Sequence, residues 1–206
     1  LLWEHFYSLT QIPRPSKKEG RAVELVKKFG EDLGLETIVD DIGNVIIRKP
    51  ATKGLEDRKG VIMQGHLDMV PQANSDSNHN FETDPIEAYV DGEWVTAKGT
   101  TLGADNGMGV AAAMAVLSSN DIEHGPVEAL FTVDEEAGMT GANHLKPGLL
   151  KGDILLNMDS EDEGELYVGC AGGQDANVTF KYNEDKLPID YKAFKLSIKG
   201  LKGGHS

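Results

Sequence analysis

Four short phrases combine side chains whose types and spacing can do chemistry. The sharpest is Gly65-His66-Leu67-Asp68, directly after the apolar run Val61-Ile62-Met63. In an extended chain positions i and i+2 face the same side. His66 and Asp68 therefore project together from the end of a buried strand, where open α/β sheets place their ligands. A neutral imidazole is a good zinc ligand, and a neighbouring carboxylate can fix its tautomer. A buried histidine bonded to a local aspartate fits the pair equally well. The second phrase runs from Gly99 to Gly109 (GTTLGADNGMG), a Gly-rich turn into a helix with Asp105 at the junction. It matches neither common phosphate-binding pattern, and no Lys or Arg lies between Lys98 and Lys146, which disfavours an anion cradle. Asp105 is either a helix cap or a carboxylate bridging two cations.

The third phrase is Asp134-Glu135-Glu136, at the end of a stretch, 127–133, that reads as a strand. Adjacent side chains diverge, so Glu135 and Glu136 suit different tasks: one can bind a metal while the other serves as a general base. A solvated charge run is the plainer reading. The fourth follows Ile154-Leu155-Leu156 and contains Asp159. Counted from Asp159, position six is Gly164, as a calcium loop requires, but position twelve is Cys170 rather than Glu. Asp159 is read as a candidate ligand, and Glu161, Asp162, Glu163 and Glu165 as solvated. Together the phrases set His66, Asp105, Glu135, Glu136 and Asp159 at or just past successive strand ends. One histidine with several carboxylates suits zinc or a similar divalent ion in a paired site with one carboxylate shared.

The elements that must position these residues follow from periodicity. Residues 1–10 read as a helix with Leu2, Phe6 and Leu9 on one face. Ser16-Lys17-Lys18-Glu19 has the form of a capping box. It opens a helix through Val23, Val26 and Phe29 that Gly34 ends. Thr37–Val39 and Asn44–Ile47 form a hairpin, and Tyr89-Val90 and Trp94-Val95 another around Asp91-Gly92. Gly107–Leu117 reads as a buried helix, with Met108 and Met114 as packing, and Gly138–Leu145 as a short one. Residues 165–199 read as β-rich, Tyr191, Phe194, Leu196 and Ile198 partly alternating. Strands alternating with helices predict an α/β class, an α/β/α sandwich with a largely parallel sheet. His5, His79, His124 and His144 carry no motif and read as surface or structural. Cys170 reads as a small packed thiol.

Composition narrows the function. The chain has 206 residues, a net charge of −14 and one cysteine. A single cysteine forbids an internal disulfide framework. The acidic balance disfavours nucleic acid as a partner, since phosphate-backbone binding needs clustered Lys and Arg. The longest apolar run, Gly109–Leu117, is far short of a membrane span. The N-terminal stretch has neither a basic segment nor an apolar core of a signal peptide, so a cytoplasmic setting is expected. The chain starts at Leu1 without Met and stops inside a Gly-rich phrase, which reads as the N-terminal part of a longer protein.

The phrases GHLDMV, GTTLGADNGMG, DEEAGMTGA and NMDSEDEGELYVGCAGG, in this order, resemble the aminoacyl-histidine dipeptidases, cytosolic two-zinc metallopeptidases related to carnosinase, peptidase T and the acetylornithine deacetylases. The resemblance spans nearly the whole chain. It implies hydrolysis of Xaa-His dipeptides, including β-alanyl-histidine, with two zinc ions that cobalt or manganese could replace. By that resemblance His66 and Asp159 bind one zinc, Glu136 the other, and Asp105 bridges both. Glu135 is the general base, Asp68 orients His66, and the Asp105–Asn106 peptide is cis. A further zinc-binding histidine of the family has no counterpart here. The resemblance also implies a catalytic portion over residues 1–188 and, at 189–206, the first strand of an inserted α+β lid domain. Relatives dimerise through that lid, and His205 matches a substrate-binding histidine in it. The rival readings are an acyl-amino-acid amidohydrolase with the same metal set, a broader di- or tripeptidase, and a non-catalytic acidic metal-binding module.

Overall fold

The computed structural model describes residues 1–162, 164–170, 177–186 and 188–199. In chain order its elements are α1 (Leu2–Thr10), α2 (Gly20–Asp32), β1 (Glu36–Val39), β2 (Val45–Lys49), β3 (Val61–His66), β4 (Ala88–Asp91), β5 (Trp94–Ala97), α3 (Ala104–Ser118), β6 (Val127–Thr132), α4 (Glu135–Gly138), α5 (Thr140–Asn143) and β7 (Ile154–Asn157). By contact the chain divides into Leu1–Glu165 and Leu166–Ser206.

The first unit is built on a five-stranded sheet in the order β1-β2-β6-β3-β7. β3 lies parallel to β6 and β7, whereas β2 is antiparallel to both β1 and β6. The expected α/β class forms, with its parallel strands side by side. β6 is central and buried at all six positions, and its sequence is accordingly mostly apolar rather than strictly alternating, with Glu128 and Thr132 as its two polar residues. Its Glu128 is held by Arg48 at 2.9 Å and by the Lys151 N–H at 3.0 Å. Val45, Ile47, Met63, Ala129 and Phe131 pack against Phe6 and Leu9 of α1, Val26 of α2 and Val110 and Met114 of α3. The opposite face carries a smaller cluster, Ile46, Ile62 and Leu130, covered by Leu145, Leu149 and Leu150. Both predicted hairpins form.

Four local expectations change. The capping box does not form: α2 starts at Gly20, Glu19 is its N-cap residue without a side-chain cap bond, and Lys17 is left-handed at φ +68°. The Ser16 hydroxyl and the Glu19 carboxylate have distant partners instead. The helix expected over Gly138–Leu145 is two single turns, α4 and α5, separated by left-handed Met139 (φ +51°). No strand forms among the described residues of the second unit, the partly alternating stretch at 191–198 included; a strand needs a ladder partner, and patterning supplies only the face. Cys170 is exposed rather than packed.

Gly65 governs how closely α3 approaches the sheet. A Cβ there would lie 2.4 Å from Asn106 Oδ1 and 3.4 Å from Val110 Cγ2. Asn106 cannot swing away, because its amide is bonded twice on its other side. Gly65→Ala is therefore expected to destabilise the fold by about 1–3 kcal/mol through overpacking, read as a lower midpoint in urea unfolding. A variant as stable as the parent would refute this close-packing account.

Candidate metal centre

The site lies where β3, β6 and β7 end and α3 begins. β3 delivers His66 at its last residue, and the chain then turns through Leu67 to Asp68. The His66 ring is 1% exposed and its two edges face different groups. Nδ1 lies 3.1 Å from the Asp68 carbonyl oxygen and 3.3 Å from Asp68 Oδ1. Nε2 faces three carboxylates: Asp105 Oδ1 at 3.0 Å, Asp159 Oδ1 at 3.7 Å and Glu135 Oε2 at 3.8 Å. A ring that donates from Nδ1 presents Nε2 to a ligand, the usual way a metal-binding histidine is oriented.

Asp68 is the most heavily bonded group. Its Oδ1 accepts the Glu135 N–H at 3.0 Å. Its Oδ2 accepts the Glu136 N–H at 3.1 Å and the Ser16 hydroxyl at 2.7 Å. Burial would raise its pKa, but these bonds and His66 hold it down at about 2. Asp105 and Asn106 sit inside α3 with non-helical backbone, and the peptide between them is cis, as the resemblance implies. Gly103, not Asp105, occupies the N-cap position. The Asn106 amide donates to Asp159 Oδ1 at 2.8 Å and to the Met158 carbonyl at 2.9 Å, which fixes Asp159.

The structure thus brings His66, Asp68, Asp105, Glu135, Glu136 and Asp159 together. Among the described residues three groups have donor atoms all within 4.8 Å of one another: His66, Glu135 and Asp159; His66, Asp105 and Glu136; and the buried Glu19, Asp68 and Asp134. His205 lies outside the described residues, as does Glu163; Glu161, Asp162 and Glu165 are exposed. His5 ties α1 to α3 through Ser118 at 3.2 Å, a structural role, and His124 and His144 bond to nearby carbonyls.

Sequence reasoning missed Arg14, Ser16, Glu19 and Asn106. Arg14 is fully buried, and its guanidinium donates to the carbonyls of Leu67 (2.9 Å), Asp68 (3.1 Å) and Gly103, tying the His66 loop to the Asp105 turn. Burial lowers its pKa to about 10, with Asp68 and Asp105 opposing the fall. No local spacing marks Arg14; its one signal is a charge held between two prolines in IPRPS.

The donor set fits divalent cations. Burial, the charge of Asp105 and a bond to it, and the charge of Glu135 push Asp159 up to about 7, against the attraction of His66. On His66, burial works against the charged form, but bonding to Asp68 and the charges of Asp159, Asp68 and Glu135 win and raise it to about 9. The carboxylates draw a proton onto the ring, and that proton stands in for a cation.

The chain matches the model of Peptidase family M20/M25/M40 over residues 62–195, and it belongs to that family. It is 51% identical over 205 residues to the Cytosol non-specific dipeptidase of Escherichia coli (strain K12), covering 100% of this chain and 42% of that protein. The crystal structure of the aminoacylhistidine dipeptidase from Vibrio alginolyticus superposes with a TM-score of 0.80 at 57% identity, covering 82% of this chain and 34% of that one. The aminopeptidase PepT from Bacillus cereus gives a TM-score of 0.66 at 28% identity, over 78% of this chain and 43% of that one. The chain thus spans less than half the length of these relatives. No helix among the described residues is long and apolar enough to cross a membrane.

Metal binding must displace the protons that the carboxylates attract. His66 is protonated below about pH 9 and Asp159 below about pH 7. Apparent zinc affinity is therefore expected to rise about tenfold per pH unit between pH 7.5 and 8.5 and to level off above pH 9. Calorimetry of the full-length protein in buffers of different ionisation enthalpy should show one to two protons released at pH 7. Binding enthalpies that do not depend on the buffer would contradict it.

Proposed function

We propose that this protein is a metal-dependent dipeptidase using two zinc ions, with Xaa-His dipeptides such as β-alanyl-histidine among its substrates. The observation that carries the reading is the convergence of Asp105, Asp159 and Glu135 on His66 Nε2 while Asp68 holds the opposite edge of the ring. His66 and Asp159 would hold one ion and Glu136 the other, with Asp105 shared between them. Bound there, the ions lower the pKa of an attacking water and polarise the scissile carbonyl.

The chain's own groups do the rest. Glu135, about a third exposed at the edge of the cluster, would take a proton from water and pass it to the leaving amine. Asp68 keeps Nε2 of His66 unprotonated once a cation is bound, and by accepting the Glu135 and Glu136 N–H groups it fixes where both carboxylates start. The acidic rim attracts the free amine of a short peptide. In this reading residues 1–188 form the catalytic portion and 189–206 begin a lid domain that supplies His205 to the substrate and a homodimer contact. The setting is cytoplasmic, without nucleic-acid or membrane partners, as the name of the E. coli relative and the charge of −14 favour.

The names of the two most similar relatives reported above agree on dipeptides and differ in breadth, non-specific against aminoacylhistidine. A panel of Xaa-His, other dipeptides, tripeptides and N-acyl amino acids, assayed with metal content on the full-length protein, decides. Two zinc ions per chain and chelator-sensitive dipeptide cleavage are expected. Release of acyl groups alone would move the assignment to an amidohydrolase, and absence of bound metal would overturn it. Glu135→Gln is expected to lower kcat by about 10²- to 10⁴-fold with zinc content unchanged; a variant of normal kcat would remove Glu135 from its role.

A further inference from the structure

We propose that Glu19 is a positioning residue for the general base, acting through the backbone of the Asp134–Glu136 turn. The inference rests on the dipeptidase reading and extends it to a residue that touches neither metal ligands nor substrate.

Among the described residues only three that are not glycine have positive φ: Lys17 (+68°), Asp134 (+54°) and Met139 (+51°). Outside glycine this region is unfavourable for an L residue, so surrounding contacts must hold it. One atom, Glu19 Oε1, accepts the N–H of both Lys17, at 2.8 Å, and Asp134, at 2.9 Å. It therefore pins two left-handed residues that are far apart in sequence.

Asp134 is where β6 leaves the sheet and turns into α4, and the next two residues are Glu135 and Glu136. Three consecutive N–H groups of this turn end on two buried carboxylates: Asp134 on Glu19, Glu135 and Glu136 on Asp68. Glu19 is 7% exposed, so water does not readily replace it as acceptor. Asp68 alone fixes the turn at its second and third residues. At the first, whose left-handed φ sets the direction of the two that follow, Glu19 holds the N–H while Thr140 bonds the carbonyl and the carboxylate.

The account assigns the effect to the position of an acceptor oxygen, not to charge, and two substitutions separate these. Glu19→Gln keeps an oxygen at the same reach and removes the charge. Glu19→Asp keeps the charge and withdraws the oxygen by about 1.5 Å, one carbon–carbon bond. In the full-length zinc-loaded enzyme, Glu19→Asp is expected to lower kcat roughly 10- to 100-fold with KM within about twofold, and Glu19→Gln to restore most of kcat. A normal kcat in Glu19→Asp, or equal losses in both, overturns the proposal. A second readout needs no turnover: the visible absorption of the cobalt-substituted protein, which follows the ligand geometry around Glu136, should change in Glu19→Asp and not in Glu19→Gln. If the parent cleaves no dipeptide, the functional reading fails by itself. The cobalt spectra then decide the positioning role, with unchanged spectra in both variants overturning it.

Discussion

Asp68 is fully buried, and its two oxygens between them bond three parts of the site: the His66 ring, the Glu135–Glu136 turn and Ser16. A carboxylate accepts several hydrogen bonds but donates none while ionised. It can therefore collect N–H and O–H groups from segments that have no other reason to meet: the ring of His66, the start of α4 and the loop before α2. Bonds to a charged acceptor are about twice as strong as neutral ones, and here they outweigh the cost of burying the charge. The resulting stabilisation of the fold is fully present above the ordinary carboxylate range and is lost as pH falls from there through about 2.

The sheet determines which residues Asp68 can collect. β3 pairs with β6 so that His66 lies opposite Thr132, and with β7 so that Gln64 lies opposite Asn157. Chains leaving three adjacent parallel strands emerge at one edge, which is where His66, the Glu135–Glu136 turn and Asp159 sit. Asp105 comes from the start of α3, brought against β3 by the missing side chain of Gly65. Arg14 then joins the His66 loop to the turn before Asp105 through backbone carbonyls. Its charge is held beneath a cluster of carboxylates without occupying any of them.

What was legible in the sequence was what local pattern encodes. The run Val61–Met63 followed by His66 and Asp68 announced a strand with the candidate site at its end, and β6 was legible from Val127, Ala129, Leu130, Phe131 and Val133. The two hairpins followed from their turn residues. The roles within the acidic phrases came from family resemblance, since spacing alone left Asp105 a possible cap and Glu135 and Glu136 a solvated run. Ser16 and Glu19 show the limit of local reading. Their spacing satisfies a capping box, yet Ser16 reaches Asp68 and Glu19 reaches Asp134, 115 residues away. A side chain with two possible acceptors or donors takes the one that tertiary packing brings to it, and spacing along the chain does not contain that choice. Arg14 and Asn106 are the same case: Arg14 bonds main-chain carbonyls of distant loops, and Asn106 the Met158 carbonyl and the Asp159 carboxylate.

Burial divides the site into two halves with different tasks. His66 and Asp68 are at most 1% exposed, whereas Asp105, Glu135 and Asp159 are 40%, 31% and 27% exposed. The inner half is bonded throughout and needs no ligand to hold its shape. The outer half is a group of like charges whose mutual repulsion is relieved when a cation arrives. Rigid support beneath and unsatisfied charge above is the arrangement in which binding energy goes into organising reactants rather than the protein. Under the dipeptidase reading, the same partial exposure lets water and a peptide amine reach the carboxylates. The acidity that attracts the cations also attracts the charged end of the substrate.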